Sequence, residues 1–266
     1  MARSRGAGRS LGTGIAGLAL GAVLVLTGYA IFSGDDSAPA GSAKGASPTA
    51  GVSGEASPEP TYTVPKDWTE PQRWAALPRG QRTDERGSQI AFPHTFEGAV
   101  AMMAASNNVS VGEGRTSADE QLRIYDSYVS QRDYSAVNRE RVKQDAQKTD
   151  KEMAQEMGGP GQKSLPAGAY MRLSTVGFKV LKKSDDEVSV WLLSRGVQRN
   201  GETARESGGY SRRVVVAQWV EGDWKMTAAA SSRALEDVRG KAEPTMAAPG
   251  DAVFNEAGWT AIRAAS

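Results

Sequence analysis

The sequence contains no cysteine and one histidine, His94. The first absence excludes disulfide staples, thiolate metal sites, a cysteine nucleophile and a lipid-bearing cysteine. The second excludes a two-histidine metal pair and leaves room for at most one Ser–His arrangement. No P-loop, G-x-S-x-G or H-E-x-x-H pattern occurs. A net charge of +1 over 266 residues lacks the basic surplus of a nucleic-acid-binding surface, so no direct nucleic-acid contact is expected. Charge is also missing locally, because residues 12–32 carry none.

That uncharged run of 21 residues would span ~31 Å as a helix, the thickness of a bilayer core. Arg3, Arg5 and Arg9 lie before it, and four carboxylates against Lys44 lie in 34–64 after it. By the positive-inside tendency the sequence predicts a single-pass membrane protein, with a cytoplasmic N-terminus (1–11), a transmembrane helix (12–32) and an extracytoplasmic remainder. Arg3, Arg5 and Arg9 are the topology determinants, and the bilayer is the first expected partner. A cleavable signal peptide with Ala38-Pro39-Ala40 as its cleavage site is the alternative. Gly17 and Gly21 match G-x-x-x-G and leave homo-oligomerisation open. Residues 33–64 are rich in Ala, Gly, Ser and Pro with almost no large apolar residue, which predicts a disordered linker.

The soluble part reads as an irregular Trp/Pro arm (65–90), an α+β domain (91–230) and a C-terminal extension (231–266). Thr95 caps a first helix whose apolar stripe is Phe96, Val100 and Met103. Ser117-Ala-Asp-Glu120 has the form of a capping box and opens a second helix, with Leu122, Tyr125 and Val129 on one face. A third, highly charged helix runs from near Ser135 to Gly158-Gly159-Pro160. After Pro166 the pattern alternates, predicting strands at 169–182, 187–197, 212–220 and 224–229 joined as an antiparallel meander. In the first strand the apolar face switches from Met171 and Leu173 to Val176, Phe178 and Val180, which calls for a bulge near 175–177. The loop 198–211 is polar and reads as exposed; the extension holds one weak helix and an isolated Trp259. The expected fold class is α+β: an N-terminal transmembrane helix, a disordered linker, then three helices packed on a bent four-stranded antiparallel sheet.

The order helix–helix–helix–strands, ending in Trp219, Gly222, Trp224 and Lys225 at W-x-x-G-x-W-K spacing, resembles the cone-shaped nuclear-transport-factor-2-like superfold. With the segment from Phe92 to Ala101 after a Trp/Pro arm and a tether, the layout resembles exported proteins of actinobacterial conjugative elements. Those are similar to bitopic components of type IV secretion systems. The resemblance implies an interaction or scaffold module with protein partners in the cell envelope.

No catalytic constellation, metal cluster or cofactor motif stands out, so no enzyme activity and no cofactor are expected. His94 reads as setting the start of the first helix, and Asp185, Asp186 and Glu187 as a solvated turn. The alternative is a cone that binds, or acts on, an apolar small molecule. Enzymes of the cone-shaped superfold that work on such ligands pair an Asp with a Tyr. Candidate cavity-lining residues for that alternative are Tyr125, Tyr128, Tyr170, Phe178, Trp191 and Trp219.

Overall fold

A computed structural model describes residues 67–263. The arm contributes β1 (Trp74–Ala76) and a small ribbon of β2 (Arg82–Thr83) and β3 (Gln89–Ile90). Then come α1 (Phe96–Asn107), β4 (Val109–Val111), α2 (Ser117–Tyr128) and α3 (Ala136–Gly158). Four strands follow: β5 (Ala169–Lys183), β6 (Glu187–Asn200), β7 (Ser207–Val220) and β8 (Asp223–Lys225). The chain closes with α4 (Ala228–Val238), α5 (Ala252–Glu256) and β9 (Thr260–Arg263).

The helices start where side chains can take their orphan amides. Thr95 Oγ1 accepts from Gly98 N (3.0 Å), and Ser135 Oγ accepts from Asn138 N (3.0 Å). The capping box of α2 sits one residue earlier than the sequence pattern suggests: Thr116 Oγ1 accepts from Asp119 N, and Asp119 Oδ2 accepts from Thr116 N. The next two free amides, of Ser117 and Ala118, donate to Asp150 of α3 at 2.7 and 3.2 Å, which docks α3 onto the start of α2. Burial pushes the Asp150 carboxyl up, against the lowering effect of these two amides.

The expected fold class needs two corrections. The four-stranded antiparallel sheet is seven strands in the order β1-β9-β5-β6-β7-β8, with β4 also on β5, curled around α1. It is mixed, because β1 runs parallel to β9. The three extra strands are two to four hydrogen-bonded steps long and come from the arm, a helix connection and the tail, where no alternation is long enough to read. The second correction concerns the membrane. The transmembrane helix expected at 12–32 lies outside the described residues, and none of the described helices is long and apolar enough to cross a bilayer. The longest, α3, has 23 residues but only Val142, Ala146, Thr149, Met153 and Ala154 buried. The described fold class is therefore α+β without a spanning element.

β5 organises the sheet. Its register against β6 slips between Thr175 and Gly177, the position where the apolar face switches, and again between Val180 and Lys182. The same break divides its outer edge. Met171–Leu173 pair with β4, whereas Gly177 and Phe178 pair with β9. Between the two, Thr175 N donates to the side chain of Asn108 (2.8 Å). Strands β6 and β7 run further than their patterns, so the polar connection shrinks from 198–211 to 201–206. The fourth expected strand is shorter, because Thr227 ends it by capping α4.

Both faces of the sheet are covered. On one face α1 and α2 pack against Phe178, Val188, Val190, Leu192, Val215 and Ala217. On the other, Trp191 and Leu193 pack with Phe254, Trp259 and Ala261 of the C-terminal extension. This makes Val188–Ser194 a continuously buried run, as expected of a strand sandwiched between layers. Trp259 is not isolated: it is fully buried and donates Nε1–H to Thr245 O (2.8 Å). Helix α1 is buried nearly all round, because Gly98, Ala99, Ala101 and Ala104 let neighbours close on it from outside the predicted stripe. A Cβ on Gly98 would lie 2.0 Å from Pro93 O.

Candidate functional site

The gap in the outer edge of β5 opens into a cleft of ≈ 670 Å³. Its walls come from five stretches distant in sequence: the arm with β3, the C-terminal half of α1, α2 with the residue before its cap, β5 at its bulge, and the C-terminal extension with β9. Small residues make this space, since α1 presents Ala101, Ala104 and Ala105 to it. Four arginines (Arg79, Arg115, Arg123 and Arg263) line the cleft, and no carboxylate does.

One end of the cleft is polar and tightly bonded. Glu120 is 1% exposed and lies between Arg115 and Arg123. Arg123 donates to Glu120 Oε2 from Nε (3.2 Å) and Nη2 (2.9 Å), to Asn108 O from Nη2 (2.9 Å) and to Ser88 Oγ from Nη1 (3.0 Å). Arg115 meets Glu120 through Nε, and its side chain is half exposed. One carboxylate against two guanidiniums leaves this cluster net positive. Beside it Tyr128 donates to Gln89 O (3.1 Å); burial raises its pKa, so the phenol stays neutral. Asp84 shapes the adjacent turn by accepting from Ser88 N (2.8 Å), Arg86 N (2.9 Å) and Ser127 Oγ (2.6 Å). Burial raises the Asp84 pKa, but those three bonds and the nearby Arg123 outweigh it and hold the carboxyl below its usual value.

The backbone beside the polar end is strained. Ala91 has φ 58°, a region that side chains rarely adopt. Asp223 holds it there by accepting from Ala91 N (3.0 Å) and Phe92 N (3.1 Å).

The other end of the cleft is apolar, formed by Trp74, Leu77, Val176 and Ile262. The Arg263 guanidinium lies 4.8 Å from the Trp74 ring centroid. At the bulge Thr175 lines the cleft, and its buried hydroxyl has no hydrogen-bond partner.

Of the residues proposed from sequence as cavity-lining, Tyr128 is at the cleft. Tyr125 is buried in the core, where its hydroxyl accepts from Ser135 N (3.1 Å). Phe178 belongs to the core beneath α1, and Trp191 to the opposite face of the sheet. Tyr170 bonds Glu206 (2.5 Å) at the far end of β5, and this bond raises its pKa. Trp219 pairs across the β7–β8 hairpin with Trp224, 5.4 Å between centroids, and stacks on His94 at 4.0 Å. Glu221 and Gly222 both have positive φ, the two-residue hairpin geometry that the Glu-Gly step supplies. His94 ties the start of α1 to the β5–β6 turn, its Nε2 facing Asp185 O (3.0 Å) and Asp186 Oδ1 (2.9 Å). The six aromatics are therefore not one constellation.

The arginines went unnoticed in the sequence because Arg79 and Arg263 lie far along the chain from the pair Arg115 and Arg123. One signal existed. Glu120 and Arg123 are three apart on α2 and face inward with Tyr128, a buried charged pair on what reads as the polar side of the helix. Among the described residues no group of three or more His, Asp or Glu side chains is placed to hold a metal ion. Compared with known families, curated proteins and solved structures, the chain gives no match.

Proposed function

We propose that the chain is a non-catalytic interaction module on the outer side of the cell membrane, and that the cleft is where it binds. The observation that carries this reading is an arginine-lined cleft assembled from five separate segments of the domain. Its volume is that of ligand sites, and its lining has their character: apolar walls with a few convergent polar groups. Its titratable groups are committed to structure. Glu120 is held by two guanidiniums, and the Tyr128 hydroxyl by a carbonyl. Neither is poised to move a proton, which favours binding over chemistry. The location rests on the sequence alone, on three arginines ahead of 21 uncharged residues.

Site-specific photo-crosslinking in the native host tests this reading. A photoreactive residue at Ala105, in the cleft, is expected to give discrete adducts in the cell envelope. One at Lys151, on the exposed side of α3, is expected to give none of them. The same adducts from both positions, or none from Ala105, would contradict the assignment.

A further inference from the structure

The two ends of the cleft differ in chemistry, and that difference restricts what it takes. We propose that the cleft binds a small amphipathic anion, a carboxylate or phosphate joined to an apolar body. This deepens the reading of the cleft as a binding site and rests on it.

The charged head belongs at the polar end. Arg115 and Arg123 are fixed there by one shared carboxylate, and Arg123 by Asn108 and Ser88 as well. Guanidiniums held this way have little side-chain freedom left to lose on binding an oxyanion. The Nη groups of Arg115, at a half-exposed position, supply charge-assisted donors. The body belongs at the other end, against Trp74, Val176 and Ile262, with the alanines of α1 as floor. Arg263 over Trp74 adds positive charge at the rim. A cation would meet four arginines and no carboxylate in the lining. A bare inorganic anion would leave the apolar walls in water. A neutral alcohol would bring no charge to a cluster in which one carboxylate faces two guanidiniums.

Calorimetric titration of the full chain in zwitterionic nanodiscs tests this. The probes are octyl phosphate, octanoate, inorganic phosphate, octanol and octyltrimethylammonium, and the tests are repeated with Ala105→Phe and Arg115→Gln. Subtracting the Ala105→Phe signal removes partition into lipid or into the N-terminal apolar segment. Octyl phosphate or octanoate is expected to bind with one site per chain, and their ratio tells which oxyanion is preferred. Inorganic phosphate, octanol and the ammonium probe should bind at least about tenfold more weakly. Ala105→Phe should abolish the site. Arg115→Gln, at a half-exposed position, should weaken it about tenfold or more while the circular dichroism shows the domain still folded.

Octanol binding as tightly as octyl phosphate, or binding unaffected by both substitutions, would overturn the proposal. An acidic peptide that binds in an Ala105-dependent way when octyl phosphate does not would also overturn it. In that case adducts at Ala105 would still stand and the interaction-module reading would survive. Failure of both experiments removes both.

Discussion

A chain that ends after Gly240 is expected to lack a cooperative unfolding transition and to show the circular dichroism of a largely unfolded chain. The deletion removes β9, which lies between β1 and β5 in the sheet, so β1 loses its strand partner. It also removes Phe254 and Trp259, both with no solvent exposure, from the layer against Trp191 and Leu193. Truncating one buried aromatic costs about 3–5 kcal/mol, and a domain of this size is held by about 5–15 kcal/mol in total. Two such side chains and a strand together exceed that margin. Urea titration followed by tryptophan fluorescence reads the result. A shortened chain that unfolds cooperatively within about 1 kcal/mol of the full chain would show that the tail is an appendage.

Glu120→Ala is expected to destabilise the domain by about 3–5 kcal/mol, the usual cost of breaking a buried ion pair from one side. Arg123 is 8% exposed and would keep its charge with only a carbonyl and a hydroxyl as partners. Arg115 is half exposed and can turn to water, so Arg123 carries most of the cost. Glu120→Gln keeps the shape and one acceptor oxygen, and a loss of about 1–3 kcal/mol is expected. Because the cluster is buried, these losses should persist at high salt, where an exposed pair would be screened. Equal, small effects of both substitutions in urea titrations would mean that Glu120 is solvated and the cluster is not a fixed element of the cleft wall.

How far the sequence discloses this structure follows from the range of each interaction. Helices α1 and α3 are visible in their starts at Thr95 and Ser135, and α2 in a capping box read one residue late at Ser117, together with their apolar spacing, all within a few residues. The bulge at Thr175–Gly177 is visible because one extra residue moves every later side chain to the other face. Strands β1, β4 and β9 are not, since three or four residues carry no measurable period and their partners are 60 to 190 positions away. The all-round burial of α1 was hidden for a related reason. Alanine and glycine are neutral in an amphipathic pattern, and only the packed neighbours show that they face the interior. The cleft has the same origin. Its arginines belong to three segments that only the assembled fold brings together, whereas the aromatic residues that drew attention divide between two cores, a hairpin and a strand end.

The most direct test of the cleft as the binding site is amide hydrogen exchange on the full chain, with and without saturating octyl phosphate. Slowed exchange is expected in 86–92, 104–108, 115–128 and 174–177, which wall the cleft, and unchanged exchange along the open edge of β7 at 207–213. Slowing confined to 207–213, or none in the cleft segments, would contradict it.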